Sequence, residues 1–246
     1  MIVIPMAGLS SRFYRSGYTK PKYMLNVCGR SVFRNAVQSF QHYFGKERFL
    51  FIYREIDDTK AFLVRELHEM GLSTDMYQLV ELRHETSGQA ETVALGLRAT
   101  DISADEPLTI FNIDTFRPGF RYPTEFDLSD TDGYVEVFKG EGDHWSFVRP
   151  ASTPNIALEV AEKVRISELC SSGLYYFKSA EFFFSLYQQI ETIDPKELQG
   201  GERYIAPLYN RAIQQDAKIY YHTIQIEEVI FCGTPDEYEA LKCTES

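Results

Sequence analysis

Residues 2–12 read Ile2-Val3-Ile4-Pro5-Met6-Ala7-Gly8-Leu9-Ser10-Ser11-Arg12, and the reading of this stretch decides the fold. The apolar opening is that of a short strand. A run of small residues then ends in a cation, and Arg15, Lys20 and Lys22 follow soon after. A strand feeding a Gly/Ser loop presents free backbone N–H groups, and nearby cations complete a pocket for a polyanion. The charge pattern sharpens this. The first forty-six residues hold seven Lys and Arg and no Asp or Glu, so a chain of net charge −11 opens with a segment of +7. In an acidic protein, cations gathered at one strand end point to a site rather than to solubility.

Working outward, short apolar runs alternate with helical patterns. Val32, Phe33, Ala36, Val37 and Phe40 fall at helical spacing behind Ser31 as N-cap. A second strand is expected over 49–53. Asp57 or Asp58 is expected to cap a helix carrying Phe62, Leu63, Leu67 and Met70, which Gly71 stops. A strand over 76–82, a helix over 89–99 and a strongly apolar strand over 108–113 follow. This alternation predicts a three-layer α/β fold with a mostly parallel sheet and right-handed crossovers. From about Asp127 the rhythm changes. Strands are expected at 134–139, 145–149, 156–164 and 174–178, helices at 179–190 and 202–215, strands at 218–224 and 228–232, and a last helix from Pro235. No linker composition marks a boundary near Asp127, so residues 1–246 are expected to form a single domain, in two halves of 1–126 and 127–246.

A sequence pI near 5.0 argues against nucleic acid or an anionic membrane as partner, since both need a broad basic face. No apolar run approaches the ~20 residues of a membrane span. Met1–Met6 has neither a charged n-region nor a cleavage site, so no signal peptide is expected. Cys28, Cys170, Cys232 and Cys243 are scattered without metal-ligand spacing, which predicts inert thiols and a cytoplasmic location. The sequence leaves a homo-oligomer open.

The loop after the first strand fits neither a Walker pattern nor a dinucleotide fingerprint, because Gly8 lacks partner glycines. It is also long, running from Ala7 to about Leu25. Such a loop can wrap a triphosphate, with Arg12 offering a planar fork of donors and Lys22, stiffened by Pro21, a point charge. The simpler alternative is a solvated basic loop.

Further motifs tip the balance. Met6-Ala7-Gly8-Leu9-Ser10-Ser11-Arg12-Phe13 followed by Gly17-Tyr18-Thr19-Lys20-Pro21-Lys22 resembles the opening of the nucleoside-triphosphate transferases, the sugar-phosphate nucleotidylyltransferases or pyrophosphorylases. In order, Thr86-Ser87-Gly88-Gln89-Ala90 is similar to that family's base-binding turn, and Asn112-Ile113-Asp114 to its metal-binding turn. Glu162-Lys163 resembles its second-half Glu-Lys, Ser172-Gly173-Leu174-Tyr175 its acceptor strand, and Gly233-Thr234-Pro235 its C-terminal Gly-Thr-Pro. The Gly-Gln-Ala-Glu-Thr of the base turn most resembles the capsule-associated bacterial subgroup.

The resemblance implies a Rossmann-like nucleotidyltransferase (GT-A-like) fold, with 1–126 as the nucleotide-binding and 127–246 as the acceptor-binding half. It implies that an acceptor phosphate attacks the α-phosphorus of a pyrimidine nucleoside triphosphate and expels pyrophosphate. CTP is favoured, with UTP or dTTP second. The acceptor is a phosphorylated small molecule: a sugar 1-phosphate, or alternatively a phosphorylated alditol or an amino-acid phosphoramidate. Arg12, Lys22 and Lys163 would be catalytic. Ala7, Gly8, Leu9, Ser10, Ser11, Thr86, Ser87, Gly88, Gln89 and Asn112 would hold the nucleotide. Glu162, Gly173, Tyr175 and Glu202 would hold the acceptor, and Asp114 would hold Mg²⁺. Read from the residues alone, Ser87 can equally be a plain N-cap and Asp114 a turn residue.

Three positions depart from the family pattern. Ser10 and Ile113 replace glycines. Phe231 stands where relatives often carry a second metal carboxylate, and a phenyl ring cannot bind Mg²⁺; Glu228, Glu202 or water are the substitutes. Two rival functions are a glycosyltransferase using Asn112-Ile113-Asp114 as a degenerate D-x-D, which would not need a triphosphate cradle, and a non-catalytic nucleotide-binding relative.

Overall fold

A computed structural model describes residues 1–242. The protein has a mixed α/β fold with a large central sheet, mostly parallel at its core. Packing groups the chain into two compact units.

One unit comprises 2–85, 112–121 and, among the described residues, 227–242. Its strands Ile2–Pro5, Phe49–Tyr53 and Tyr77–Glu81 pair in parallel, with Ile2 opposite Phe49 and Phe49 opposite Tyr77. All five residues of the middle strand are buried, as a strand covered on both faces requires. The helices Val32–Gln38 and Thr59–Glu69 supply the cover, and Phe33 meets Phe51 and Phe62 at ring separations of 5.4 and 5.8 Å. Ser31 caps the first helix by accepting from the Arg34 N–H at 3.0 Å. Gly71 ends the second at φ 76°, as expected. The expected carboxylate cap does not form. Asp58 precedes that helix with φ 58°, whereas a capping residue is extended, and its side chain takes no first-turn amide.

The other unit comprises Met1, 86–111 and 122–226. Its spine is the fully buried strand Leu169–Phe177, antiparallel to Leu108–Phe111 and to Gly133–Lys139. Ser146–Pro150 pairs with Ala157–Glu162, and Gly133–Lys139 pairs in parallel with Ile219–Ile224. The expected strand at 174–178 thus begins five residues early. Ser171, Ser172 and Gly173 look like a turn by composition, yet they form a bulge inside the strand. The polar atoms are satisfied there, with Ser172 Oγ donating to the buried Glu136 at 2.9 Å. The helix expected over 202–215 is short, Leu208–Ile213, with Arg203 bonded instead to the backbone of Ser87 and Ala90.

Cys170 and Cys232 are buried free thiols. Cys28 is disulfide-bonded, which corrects the expectation of four inert thiols: it lies exposed on a turn, where a thiol is accessible. Cys243 falls outside the described residues. Among those described, no helix is long and apolar enough to cross a membrane.

Candidate active site

The first loop is more ordered than its composition indicates. It holds a short helix, Ser11–Arg15, and a 3₁₀ turn, Lys22–Met24. Ser10 enters the helix in the left-handed region at φ 52°, a conformation costing a side chain roughly 1 kcal/mol. Its hydroxyl accepts from the Lys22 N–H at 3.1 Å, so the two ends of the loop are tied. Phe13 anchors the helix in the core against Tyr18 and Tyr238. Ala7 is buried, while Gly8, Leu9, Ser11 and Arg12 are exposed. No backbone amide from Gly8 to Arg12 donates a hydrogen bond among the described residues. Five consecutive free donors beside an arginine form an anion cradle.

Asp114, half-buried, lies in the same unit, following the half-buried Asn112 and the buried Ile113. The Asn112 carbonyl accepts from the Thr115 N–H at 3.4 Å, closing the turn. The Asp114 carbonyl accepts from the Cys232 N–H at 2.8 Å, and Thr115 pairs with Phe231, so the Gly233-Thr234 segment runs alongside. Lys22 Nζ donates to the Asp114 carboxylate. A Cβ on Gly233 would sit 3.0 Å from Asp114 Oδ2, the oxygen that takes Lys22, so a bare Cα leaves the carboxylate room beside Gly233. Burial pushes the Cys232 thiol up to about 12, with the Asp114 charge adding to it. Of the substitutes for a carboxylate at 231, Glu228 is occupied by an ion pair with Arg117 at 3.1 Å. Glu237 accepts from the Gly233 and Thr234 amides and completes a capping box.

In the other unit, Thr86-Ser87-Gly88-Gln89 leads into the helix Gln89–Arg98. Ser87 does not cap it. Instead the Ser87 N–H donates to Glu91 at 2.6 Å and its hydroxyl donates to the same carboxylate, while Thr86 and Thr92 share a 2.6 Å hydrogen bond. The Gly88 carbonyl is already engaged by the Thr92 N–H at 3.1 Å, and its own N–H makes no bond among the described residues. Gly88 is glycine for a reason that sequence reading missed. At φ 144° its Cβ would fall 2.5 Å from the Arg203 backbone.

The same unit carries Glu162 and Lys163. Asn210, on the helix Leu208–Ile213, accepts from the Val160 N–H at 2.7 Å and fixes the strand that ends there. Glu162 is buried; its carboxylate takes the Ser146 hydroxyl, and Ser146 Oγ lies 3.3 Å from the Tyr175 hydroxyl. Burial holds the Glu162 carboxyl above its ordinary value, against the Ser146 hydrogen bond and Lys163. Burial and the Glu162 charge push the Tyr175 phenol to about 12. Tyr175 is in the core, beside the equally buried Ser146 and Glu162. Gly173, at φ 88°, sits at the bulge two residues before it. Lys163 is exposed and left-handed at φ 55°, with Nζ donating to the Tyr204 hydroxyl. Burial opposes its charge, but Tyr204, Glu162 and Glu202 outweigh that and raise its pKa. Ser146, Arg203 and Tyr204 complete this cluster. His144 packs on Trp145 with ring centroids 4.3 Å apart, just before the strand Ser146–Pro150.

A solved nucleoside-diphosphate-sugar pyrophosphorylase from Vibrio cholerae RC9 is 46% identical, covers 98% of this chain and 99% of its own, and superposes with a TM-score of 0.91. The chain belongs to the nucleoside-diphosphate-sugar pyrophosphorylase family of nucleotidyltransferases. The fold extends to distant structures. An inositol-1-phosphate CTP transferase from T. maritima is 14% identical with a TM-score of 0.71, covering 98% and 94% of the two chains. A UDP-glucose pyrophosphorylase from Acinetobacter baumanii is 17% identical at 0.66, covering 98% and 90%. No catalogued family pattern and no curated protein matches the sequence. Membership in this pyrophosphorylase family makes the protein an enzyme of nucleotidyl transfer and bears out the fold expected from residues 2–12.

Proposed function

We propose that the protein is a Mg²⁺-dependent nucleotidylyltransferase joining a pyrimidine nucleoside triphosphate, CTP first, to a sugar 1-phosphate. One observation carries the reading: free amides from Gly8 to Arg12, with Lys22 tied back to both Ser10 and Asp114. A diphosphate donor would not call for so many positive groups, which disfavours a glycosyltransferase. The name of the 46% identical relative supports a sugar-phosphate acceptor. The Gly-Gln-Ala-Glu-Thr turn supports a role in capsule or other surface polysaccharide precursors, and a phosphorylated alditol or phosphoramidate acceptor is the second choice.

In this reading, an oxygen of the acceptor phosphate attacks the α-phosphorus. A new P–O bond forms, the bond to the bridging α–β oxygen breaks, and pyrophosphate leaves. The chain positions the reactants and neutralises charge. Arg12 and the loop amides take the β- and γ-phosphates and the departing pyrophosphate. Lys163, held by Tyr204, takes the acceptor phosphate against repulsion from the nucleotide. The Gly88 N–H reads the base edge, since its carbonyl is engaged.

The residues fit a magnesium ion. Asp114 Oδ2 takes Lys22 Nζ, its other carboxylate oxygen makes no bond among the described residues, and a hard cation accepts one carboxylate with phosphate oxygens and waters. Bound there, Mg²⁺ would neutralise developing phosphate charge.

The test is pyrophosphate release from CTP, UTP, dTTP, ATP and GTP across a panel of sugar 1-phosphates, alditol phosphates and phosphoramidates. Release with a pyrimidine nucleotide, lost in Asp114→Asn, is expected. Release only with purines, or an unchanged Mg²⁺ dependence in Asp114→Asn, would overturn the base or the metal assignment respectively.

A further inference from the structure

The segment 199–204 touches both the turn assigned to the base and the lysine assigned to the acceptor. Arg203 is the centre of the first contact. Its N–H donates to the Ser87 carbonyl at 2.7 Å, and its carbonyl accepts from the Ala90 N–H at 2.8 Å. These two bonds straddle Gly88, and the close approach leaves no room for a side chain there. The guanidinium repeats the clamp. It donates to Ser87 Oγ and to the carbonyls of Glu191 and Ile193, each at 2.9 Å, and its ion pair with Glu91 is long at 3.6 Å. With its side chain only 11% exposed, this charge is held mainly by carbonyls. A buried cation with so little carboxylate compensation costs stability, so a role beyond packing is the better account of it.

Neighbouring residues make the second contact. Tyr204 holds Lys163 Nζ by its hydroxyl, and the ammonium lies 4.6 Å from its ring centroid. Gln199 accepts from the Glu162 N–H at 3.0 Å. Arg203 and Tyr204, neighbours in sequence, thus contact the base turn and the acceptor lysine respectively.

We infer that Arg203 is a positioning residue that couples nucleotide binding at the Ser87–Ala90 turn to acceptor-phosphate binding at Lys163. This rests on the functional reading above. Ordering of the turn by a nucleotide is passed through the Arg203 backbone to Tyr204, which orients Lys163. Nothing in the opening motif or the Glu-Lys pair announces it, and Arg203 touches no substrate in this scheme.

The experiment uses the full chain with Arg203→Lys, Tyr204→Phe and the double variant. Nucleotide Kd is measured by calorimetry without acceptor, and acceptor KM at saturating nucleotide. Tyr204→Phe is expected to raise acceptor KM about fivefold or more with nucleotide Kd unchanged, since it loosens only Lys163. Arg203→Lys is expected to raise both by similar factors. The double variant should be no worse for acceptor than the worse single variant, the non-additivity of residues in series. A lowered Tm for Arg203→Lys with wild-type Kd and KM would overturn the inference and leave a structural staple. Additive effects on acceptor KM would overturn it as well. If the wild-type protein bound nucleotide but transferred none, the functional reading would fail. The calorimetric arm would then decide for Arg203: weakened nucleotide binding in Arg203→Lys supports its hold on the turn, and wild-type binding refutes it.

Discussion

Arg12 and Lys22 occupy different situations despite their common assignment. Arg12 is exposed beside unused amides, whereas Lys22 is tied to Asp114 and, through its N–H, to Ser10. Arg12→Ala should lower turnover at least about tenfold with little change in Tm, because it removes only a charge-assisted contact to phosphate. Lys22→Ala should lower turnover by at least as much and also cost about 1 kcal/mol of stability, the scale of a partly exposed ion pair. Steady-state kinetics and denaturant melts check both; wild-type kinetics in both variants would remove the triphosphate cradle. Glu162 gives a pH prediction. Burial raises its folded pKa above the unfolded value, so its proton is held more tightly in the folded protein. Its contribution to stability is complete below the unfolded carboxylate pKa and is lost as pH rises through the folded one. Relative to Glu162→Gln, the wild-type protein should therefore lose stability as pH rises above the ordinary carboxylate value of about 4. Denaturant melts at several pH values test this, and a relative gain with pH would mean that the Ser146 and Lys163 contacts prevail over burial.

At the scale of elements, the base turn, its helix and the segment ending at Arg203 act as one packed object. Gly88→Ala is expected to destabilise the protein by about 1–3 kcal/mol, the cost of overpacking, since the new Cβ meets backbone rather than a movable side chain. Loss of nucleotide binding in a Gly88 variant would thus not by itself identify a base contact. Comparing Tm with Kd for Gly88→Ala separates the two; an unchanged Tm would show that the turn can yield. The strand Leu169–Phe177 teaches a related lesson. Ser171-Ser172-Gly173 has turn-like composition, and it is a strand because Ser172 finds Glu136 and because the flanking ladders continue on both sides of the bulge.

At the scale of the whole molecule, a net charge of −11 with a cationic opening segment favours an anionic ligand at that segment over binding elsewhere. A nucleotide at a hundred times its Kd should add about 2.7 kcal/mol to folding. For a chain of this size that is a Tm increase of roughly 5–10 °C. Differential scanning fluorimetry with Mg²⁺ and each nucleotide should show this shift for CTP or another pyrimidine and a smaller one for purines. No shift with any triphosphate would count against the loop as its binding site.

The sequence by itself determined the α/β class, most strands and helices, the Ser31 cap, the Gly71 stop and the family, because periodicity, caps and short motifs are local properties of the chain. It also named Arg12, Lys22, Asp114, Glu162 and Lys163. Only the tertiary structure decided what these side chains hold: Lys22 on Asp114, Glu162 on Ser146, Lys163 on Tyr204. It alone showed that Ser87 serves Glu91 rather than a helix cap, and that Gly88 answers to Arg203. Ser87 and Arg203 are 116 residues apart, and their contact depends on how strands and helices stack. No local pattern encodes such a separation, so the partner of a buried polar group is fixed only when the fold closes around it.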